Sequence, residues 1–515
     1  MSTEASALEV NDGLDGRNQA GDASVLALGA SVGLTGALAA RALNLVSQVL
    51  MARLLGATSF GLYAIGWTLV RILGSLGTLG HEAGIIYFGA TYQRQPSKFK
   101  GAMVQSLVIP FVAGTAIAVT MWICAPVLAD RIFHKPDALP VIRLFGLALP
   151  FYTVCFVAGG ITKLSHRMQY FVYSGLAQAA AALLLFCVLF FLGFGLPGAI
   201  VATSAGFLVG ALVSAHYVRR LFPAAVARRV KSQWPGPELF TYSISIMLAG
   251  IASNGQMFVD RLFVAAFRSA ADTGVYQAAS QLSIMFGILL GAFHGIFRPM
   301  VADIHARGDH RRLAELYRVC SKWTLYASLP LFLIILSVST YLVQLLYGKA
   351  YEGAATPLII LSAAQLFTGL TAGSHTMLVM TGRQKTFVIL SFASLLIDVL
   401  LALALVPGLG LTGAAIATAT SGLFFSSATV LAVKEYFGIW PVDARMLKGC
   451  VATLATLGAL FLLKRCEFAT PALRVLTVAC ASVTVFAVCL GLLGLDSEDA
   501  DALYSLRRRL MSVRF

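Results

Sequence analysis

The segment Gly198-Ala199-Ile200-Val201-Ala202-Thr203 returns later in the chain as Gly413-Ala414-Ala415-Ile416-Ala417-Thr418, an offset in numbering of 215 (413 less 198). Each copy follows a glycine-containing pentapeptide, Gly193-Phe194-Gly195-Leu196-Pro197 and Gly408-Leu409-Gly410-Leu411-Thr412. Gly61-Leu62-Tyr63 and Gly274-Val275-Tyr276 repeat at almost the same offset, 213 (274 less 61). A period of this length inside apolar sequence restricts the chain to two homologous membrane lobes. Such repeats put a substrate site at the lobe interface, near the bilayer midplane. Transport is therefore the first functional expectation.

The composition fits that frame. Of 515 residues, 58% are hydrophobic and 12% charged, with a mean hydropathy of +0.82. Apolar runs long enough to cross a bilayer recur along almost the whole length, so the expected class is an all-α polytopic membrane protein. About fourteen helices are expected, with ends placed to within a few residues. They fall near 25–51, 59–90, 101–124, 142–163, 170–192, 197–220, 239–265, 274–297, 322–346, 354–378, 385–406, 411–434, 446–463 and 474–494. Gly74, Gly77, Gly80 and Gly84 are positioned to break the second, and a short surface helix is expected over 308–320.

The resulting division is a disordered cytoplasmic tail over 1–23, a six-helix lobe over 24–222, a cytoplasmic linker over 223–237 and a second six-helix lobe over 238–437. Two further helices over 438–495 and a cytoplasmic tail over 496–515 complete it. The acidic start (Glu4, Glu9, Asp12, Asp15, Asp22) has no basic run ahead of an apolar core, which argues against a cleaved signal peptide.

Loop charges set the expected orientation. One set of loops carries Arg94, Lys98 and Lys100, then Lys163 and Arg167, Arg219 to Lys231, Arg298 to Lys322, Arg383 and Lys385, and Lys434 to Lys448. The alternate loops carry far fewer: Arg53, then Arg131, Lys135 and Arg143, Arg268, Lys349, and Lys464, Arg465 and Arg474. This asymmetry puts both termini in the cytoplasm and explains much of the net charge of +15 without nucleic acid. The eight cysteines lack metal-ligand spacing and read as small hydrophobes. No Gly-x-x-x-x-Gly-Lys-Ser/Thr loop, His-x-x-x-His or Cys-x-x-Cys pair occurs, so no enzyme, cofactor or catalytic metal is expected.

Charges at bilayer depth cost about 2.5–3.5 kcal/mol on insertion scales, so each needs a reason. Arg41, Asn44 and Gln48 share one helix face, and Tyr63, Trp67, Arg71, Thr78 and Glu82 form a second polar stripe. Ser253, Gln256 and Asp260 share a face with Arg261 beside it. Tyr276, Ser280, Ser283, Gly287, Gly291 and His294 form another stripe, as do Ser391, Ser394 and Asp398. Arg41, Arg71 and Arg261 are expected to line one cavity, with Asn44, Gln48 and Gln256 as substrate-binding neighbours. Guanidinium groups stay ionised and bind phosphate bidentately, which favours a phosphate or pyrophosphate head group. Asp260, Asp398 and Glu82 are the candidates for coupling to Na+ or H+. Asp260 and Arg261 also admit a purely structural pairing, and Asp398 admits packing within its own lobe. Arg53, at a helix end, is expected to snorkel to the interface. The Gly-Ala segments 198–206 and 410–422 read first as close helix packing.

Ala52-Arg53-Leu54-Leu55-Gly56-Ala57 with Phe60-Gly61-Leu62-Tyr63 resembles the first-loop signature of bacterial polysaccharide flippases. Phe258-Val259-Asp260-Arg261-Leu262-Phe263 and Thr273-Gly274-Val275-Tyr276-Gln277-Ala278-Ala279 resemble the same family's second-lobe signature. Pro299, Gly308-Asp309, Leu313 and Leu316-Tyr317 extend the likeness, which covers about residues 25–495. The family belongs to the multidrug/oligosaccharidyl-lipid/polysaccharide exporter superfamily. The resemblance implies two lobes in a V-shaped arrangement and a cationic central cavity, which maps here onto Arg41, Arg71 and Arg261. It also implies flipping of an undecaprenyl-pyrophosphate-linked oligosaccharide across the bacterial inner membrane, for surface polysaccharide or exopolysaccharide synthesis. The implied partners are lipid-linked oligosaccharide, the lipid bilayer, a polysaccharide polymerase and glycosyltransferases, with no nucleic acid, and the chain is expected to be a monomer. Lipid II flippases and multidrug/cation antiporters of the superfamily are the alternatives. Antiporters of cationic drugs want deep carboxylates, against a cavity that reads as net cationic. A scaffold for glycosyltransferases would need no midplane arginines.

Overall fold

The computed structural model describes residues 2–494 other than His166, Arg228 and Glu467, together with Asp496 and Asp499. The side chains of 2–34, 252–254 and 285–296, and of helical positions 37, 90, 224, 249, 299 and 372, lie outside the described set, and with them Ser253 and His294. The described residues contain helices and no strand.

The first half of the chain folds as α1 (Ser2–Gly77), α2 (His81–Tyr92), α3 (Pro96–Val127), α4 (Ala138–Gly146), α5 (Leu149–Lys163), α6 (Met168–Phe191), α7 (Gly195–Leu221) and the single turn α8 (Pro223–Val226). A π-turn, Leu128–Ile132, extends α3. The second half folds as α9 (Pro237–Phe267), α10 (Ala270–Ala306), α11 (His310–Tyr347), α12 (Ala355–Met380), α13 (Gln384–Phe437), α14 (Leu447–Leu463) and α15 (Pro471–Leu492). Short 3-10 turns, Lys349–Ala354 and Ala444–Met446, precede α12 and α14.

Nine of the described helices are long and apolar enough to cross a membrane, and the pair α4–α5, bent by 43°, makes a tenth. α1 and α13 leave helical geometry at Gly56 (φ 76, ψ 168) and Gly410 (φ 60, ψ −131), and each is long enough to cross twice. α9 and α10, with 31 and 37 residues, also have the length. Counted this way by length, the described residues have room for the expected fourteen passages. The outer surface agrees with lipid contact: Leu184, Val188, Phe191, Leu454, Leu476 and Leu492 are all exposed. A soluble monomer rarely exposes so much contiguous apolar surface.

Where helices meet, small residues set the spacing. A methyl group on Gly206 would lie 2.9 Å from both the Ala182 Cβ and the Gln178 carbonyl oxygen. The repeated Gly-Ala segment thus packs α7 tightly on α6, as small-residue interfaces do in membranes.

The repeat is written in the backbone as well. Gly195 (φ 48) and Gly410 (φ 60), related by the offset of 215 (410 less 195), both take left-handed conformations just before the repeated hexapeptide. His134 (φ 53) and Gly348 (φ 98), at an offset of 214 (348 less 134), do the same in the loops after α3 and α11. The break at Gly56 corresponds, by the offset of 213 (269 less 56), to Ser269, where a capping box with Asp272 starts α10.

Two details differ from the sequence expectation, and a third agrees with it. The surface helix expected over 308–320 is continuous with the following span in α11, started by the Asp309 cap after Gly308 (φ 72). The described helix α1 begins at Ser2, inside the segment expected as a disordered tail. The break expected in the second helix falls at Leu79 (φ 47) and Gly80 (φ 70), between α1 and α2.

The chain forms two compact units that interleave in sequence. Unit 1 comprises Met1–Gln48, Leu69–Leu128 and Leu139–Ile251; unit 2 comprises Val49–Thr68, Ala129–Ala138 and Ala252–Phe515. Within unit 2 the last two helices are tied down by a charge cluster. Lys322, with a side chain only 2% exposed, lies 3.0 Å from both Asp496 and Asp499. Lys448 donates to Asp496 (2.7 Å) and to the Gly494 carbonyl (2.8 Å), and the Trp323 indole donates to Asp499 (2.7 Å). The positive-inside reading treats Lys322 as an open loop lysine; its carboxylate partners lie far away in sequence.

Removing one partner of a fully buried pair costs about 3–5 kcal/mol, and less where the carboxylates keep some solvent contact, as here. Lys322→Met is therefore expected to lower the thermal midpoint of the purified protein clearly. Adding Asp499→Asn should recover part of the loss, because the second change removes the stranded carboxylate. A midpoint unmoved by Lys322→Met would refute the anchoring role.

Candidate functional site

In unit 1 the polar stripe of α1 is presented openly. Arg41 and Asn44 are both exposed, and the Asn44 amide donates to the Ala40 carbonyl at 2.9 Å. Gln48, one turn on, is buried, and its side-chain oxygen has no hydrogen-bond partner among the described residues. Beyond the break, Arg71 is half-buried, with its guanidinium 5.9 Å from the centre of the Tyr152 ring. Tyr152 is itself buried and stacks on Phe156. An aromatic face attracts a guanidinium through the ring quadrupole.

Glu82, at the start of α2, pairs with Lys163 at the end of α5 at 2.7 Å, both side chains about one quarter exposed. The Lys163 ammonium also lies 4.1 Å from the Phe171 ring centre. The sequence puts Lys163 among the loop cations and Glu82 among the coupling carboxylates; each is the other's counter-ion. Gly160 makes room for this pair, since a methyl there would lie 2.6 Å from Glu82 Cγ.

Unit 2 holds the buried charges. Asp260 and Arg261, neighbours on α9, are each 3% exposed. The Asp260 carboxylate accepts from the Arg261 backbone N–H (2.8 Å) and from the Tyr276 hydroxyl on α10 (2.8 Å). The Arg261 guanidinium lies 4.9 Å from the Phe258 ring centre. Asp398, on the first half of α13, is fully buried and feels the charge of Asp260. Thr418 and Ser421 stand beside its carboxyl group, yet among the described residues neither of its oxygens meets a partner in good hydrogen-bonding geometry. Thr418 also borders Asp260, so one hydroxyl lies next to both acids. Gln256 donates to Ser394 at 2.5 Å, and Ser394 donates to the Ser421 carbonyl at 2.8 Å, linking α9 to both halves of α13.

Of the nine residues singled out from sequence, Arg41, Asn44, Gln48, Arg71 and Glu82 belong to unit 1, and Gln256, Asp260, Arg261 and Asp398 to unit 2. Tyr276, Thr418, Ser421 and Lys163 complete the two clusters. Tyr276 carried a signal as the first member of a polar stripe, whereas Thr418 lies in a repeated Gly-Ala segment that read as packing.

The repeat shows what is special to unit 2's cluster. At the offset of 213, Asp260, Arg261 and Tyr276 correspond to Ser47, Gln48 and Tyr63; at 215, Asp398 and Thr418 correspond to Leu183 and Thr203. Both buried carboxylates thus occur in the second repeat alone. The hydroxyl of Thr203 turns inward to the Ala199 carbonyl at 2.8 Å, where Thr418 instead faces acids. Among the described residues no three His, Cys, Asp or Glu side chains gather as a metal site.

Comparison with known proteins follows the same lines. The structure is similar to the lipid II flippase MurJ in an inward closed conformation, with a TM-score of 0.70 at 14% identity, over 89% of this chain and 98% of that one. It is similar to an inward-facing multidrug resistance MATE family transporter of the MOP superfamily, with a TM-score of 0.67 at 17% identity, over 79% of this chain and 98% of that one. A MOP superfamily transporter from Pyrococcus furiosus, described by the reverse polarity of its binding pocket, aligns with a TM-score of 0.60 at 18% identity, over 80% of this chain and 95% of that one. At these identities the likeness establishes the fold, that of polytopic helical transporters. No curated protein sequence matches the chain. Residues 50–356 match the model of a family described as polysaccharide biosynthesis protein, and that span exceeds half of the sequence; the chain is a member of this polysaccharide biosynthesis family.

Proposed function

We propose that the chain is a flippase, not an enzyme, carrying an undecaprenyl-pyrophosphate-linked oligosaccharide repeat unit across the bacterial inner membrane for surface or exopolysaccharide synthesis. Both termini are cytoplasmic in this reading, and the two lobes work by alternating access. The observation that carries it is the exposure of Arg41. Arg41 lies fifteen positions before the break at Gly56 (56 less 41), about 22 Å along the helix; with that break at the membrane boundary, this reading puts Arg41 inside a hydrocarbon core about 30 Å thick. An exposed guanidinium at that depth is too costly against lipid and calls for a wet cavity or an anionic cargo. Asn44 shares its face, and Arg71 and Arg261 add two more guanidinium groups on spanning helices. Arginine suits a pyrophosphate because it binds the oxygens in pairs and does not lose its proton.

The family membership supports a polysaccharide precursor as cargo. A lipid II flippase is the second reading, favoured by the fold match that extends over 89% of the chain, against 79% and 80% for the two other transporters. The buried carboxylates of unit 2 leave room for the antiporter reading, but the family model favours the lipid-linked sugar.

The coupling ion belongs, in this reading, to Asp260, Asp398 and Thr418. An acid whose oxygens lack hydrogen-bond partners, beside a second acid and a hydroxyl, suits either a shared proton or a hard cation such as Na+, which takes oxygen ligands. Glu82 is the weaker candidate, because Lys163 already balances it.

Two tests follow. Each charge-assisted bond to phosphate is worth about 1.5–3 kcal/mol, so Arg41→Ala, Arg71→Ala and Arg261→Ala should each weaken cargo binding roughly ten- to hundredfold and cripple polymer export at normal protein level. Arg→Lys should rescue in part, because an ammonium makes no bidentate contact. Full export by the Arg41→Ala and Arg71→Ala variants would end the cargo-binding role. If Arg261→Ala instead lowers protein level and Asp260→Asn restores it, Arg261 is a structural partner of Asp260.

The second test concerns the acids. Sodium, or a proton supplied by lowering pH, should raise the thermal midpoint of the wild-type protein and leave Asp398→Asn unmoved, because a bound ion stabilises only the state that holds it. An identical response in the Asp398→Asn variant would remove this acid from coupling.

A further inference from the structure

The repeat predicts more than a shared fold: it pairs contacts. Within unit 2, the Tyr351 hydroxyl, in the turn after α11, donates to the carbonyl of Ala52 at 2.8 Å. The Lys135 ammonium, in the loop after α3, donates to the carbonyl of Ala265 and to that of Phe133 (2.9 Å). Ala52 and Ala265 are repeat mates at the offset of 213 (265 less 52). The loops that supply the two donors are repeat mates as well, marked by the left-handed residues His134 and Gly348. Each repeat therefore reaches from the loop after its third passage onto the end of the other repeat's first passage.

Both acceptors lie in the last turn before a helix break, at Gly56 and after Phe267. Carbonyls at a helix end can take an outside donor. Arg53 reinforces one side: its guanidinium donates to the carbonyls of Leu346 (2.6 Å) and Leu345, at the end of α11. The snorkelling expected from its place at a helix end is thus replaced by capping, because the orphan carbonyls of α11 lie within its reach.

The helices that follow the breaks meet with the same reciprocity. A methyl on Gly61 would fall 1.7 Å from the Ala270 carbonyl oxygen, and one on Gly274 would fall 2.3 Å from the Ala57 carbonyl oxygen. Ala57 and Ala270 are again mates at 213, as are Gly61 and Gly274. This is the physical content of the repeated Gly-x-Tyr motif: each glycine lets the other repeat's backbone come into contact. The crossing is buried, with Phe60 and Tyr63 each no more than 1% exposed and Phe60 set edge-on to Tyr351 at 6.2 Å.

We propose that these four contacts form a reciprocal clasp between the repeats, which holds this end of the bundle closed and must release for the carrier to open there. The release step rests on the alternating-access reading; the clasp itself rests on the contacts. Its parts act together because each strap secures the helix whose continuation forms the crossing.

The test is hydrogen–deuterium exchange on the full-length protein in lipid nanodiscs, comparing wild type with Lys135→Met, Tyr351→Phe and the double variant. Lys135→Met should speed exchange in 262–276, where it bonds, and also in 49–62, which it does not touch. Tyr351→Phe should do the converse. Losing one such bond shifts an opening equilibrium by roughly three- to tenfold, and the double variant should show the largest change. Tyr351→Phe keeps the ring and removes only the hydroxyl, so a folded protein is expected there even if the lysine variant is poorly behaved. Acceleration confined to the segment each side chain contacts, or none in any variant, would overturn the clasp. The readout needs no cargo, so it stands apart from the flippase reading, which the arginine variants test.

Discussion

Everything specific about this protein depends on the cost of placing charge at the depth of a hydrocarbon core. With 12% charged residues in the whole chain, few charges are read as deep, and these lie on α1, α2, α9 and α13. The structure answers that cost in three different ways. Glu82 and Lys163 neutralise each other. Asp260 is buried with its carboxylate satisfied by a backbone N–H and a tyrosine. Arg41 stays exposed, which is the arrangement that most needs a polar cargo or water beside it.

The internal repeat separates scaffold from function. Features found in both halves are geometric: the breaks at Gly56 and Ser269, the left-handed turns at Gly195 and Gly410, the glycines at 61 and 274, and the crossed straps onto Ala52 and Ala265. Features found in one half alone are electrostatic. Asp260 and Asp398 lie in the second repeat, where the first has Ser47 and Leu183. The duplicated frame keeps its joints and differs in its charges.

Much of this was legible in the sequence, for physical reasons that also mark the limits. Spans were readable because a bilayer demands long apolar runs, and breaks were readable where glycine adopts a positive φ. The polar stripes were readable because helical periodicity fixes which side chains share a face, so Asp260, Asp398 and the three arginines stood out before any coordinates. What a stripe leaves open is which neighbour it meets. Tyr276 turns to Asp260 across a helix break, Lys163 finds Glu82 in a distant helix, and Lys322 finds Asp499, which follows the last helix. The reach of Lys135 and Tyr351 was equally hidden, because their loops have no periodicity to read. Thr418 was visible but misjudged: Gly-Ala-rich repeats pack helices closely, and here one residue of the motif also borders two acids.

The central claim is that the chain moves a pyrophosphate-linked oligosaccharide lipid from one leaflet to the other. The most direct measurement is reconstitution of the purified protein into liposomes carrying a defined undecaprenyl-pyrophosphate oligosaccharide, with leaflet exchange followed by a membrane-impermeant glycan probe. The account predicts exchange well above protein-free vesicles, reduced by Arg41→Ala and left in place when the sugar lipid competes with a cationic drug. No exchange of the sugar lipid, together with uptake of the cationic drug by the same vesicles, would contradict it.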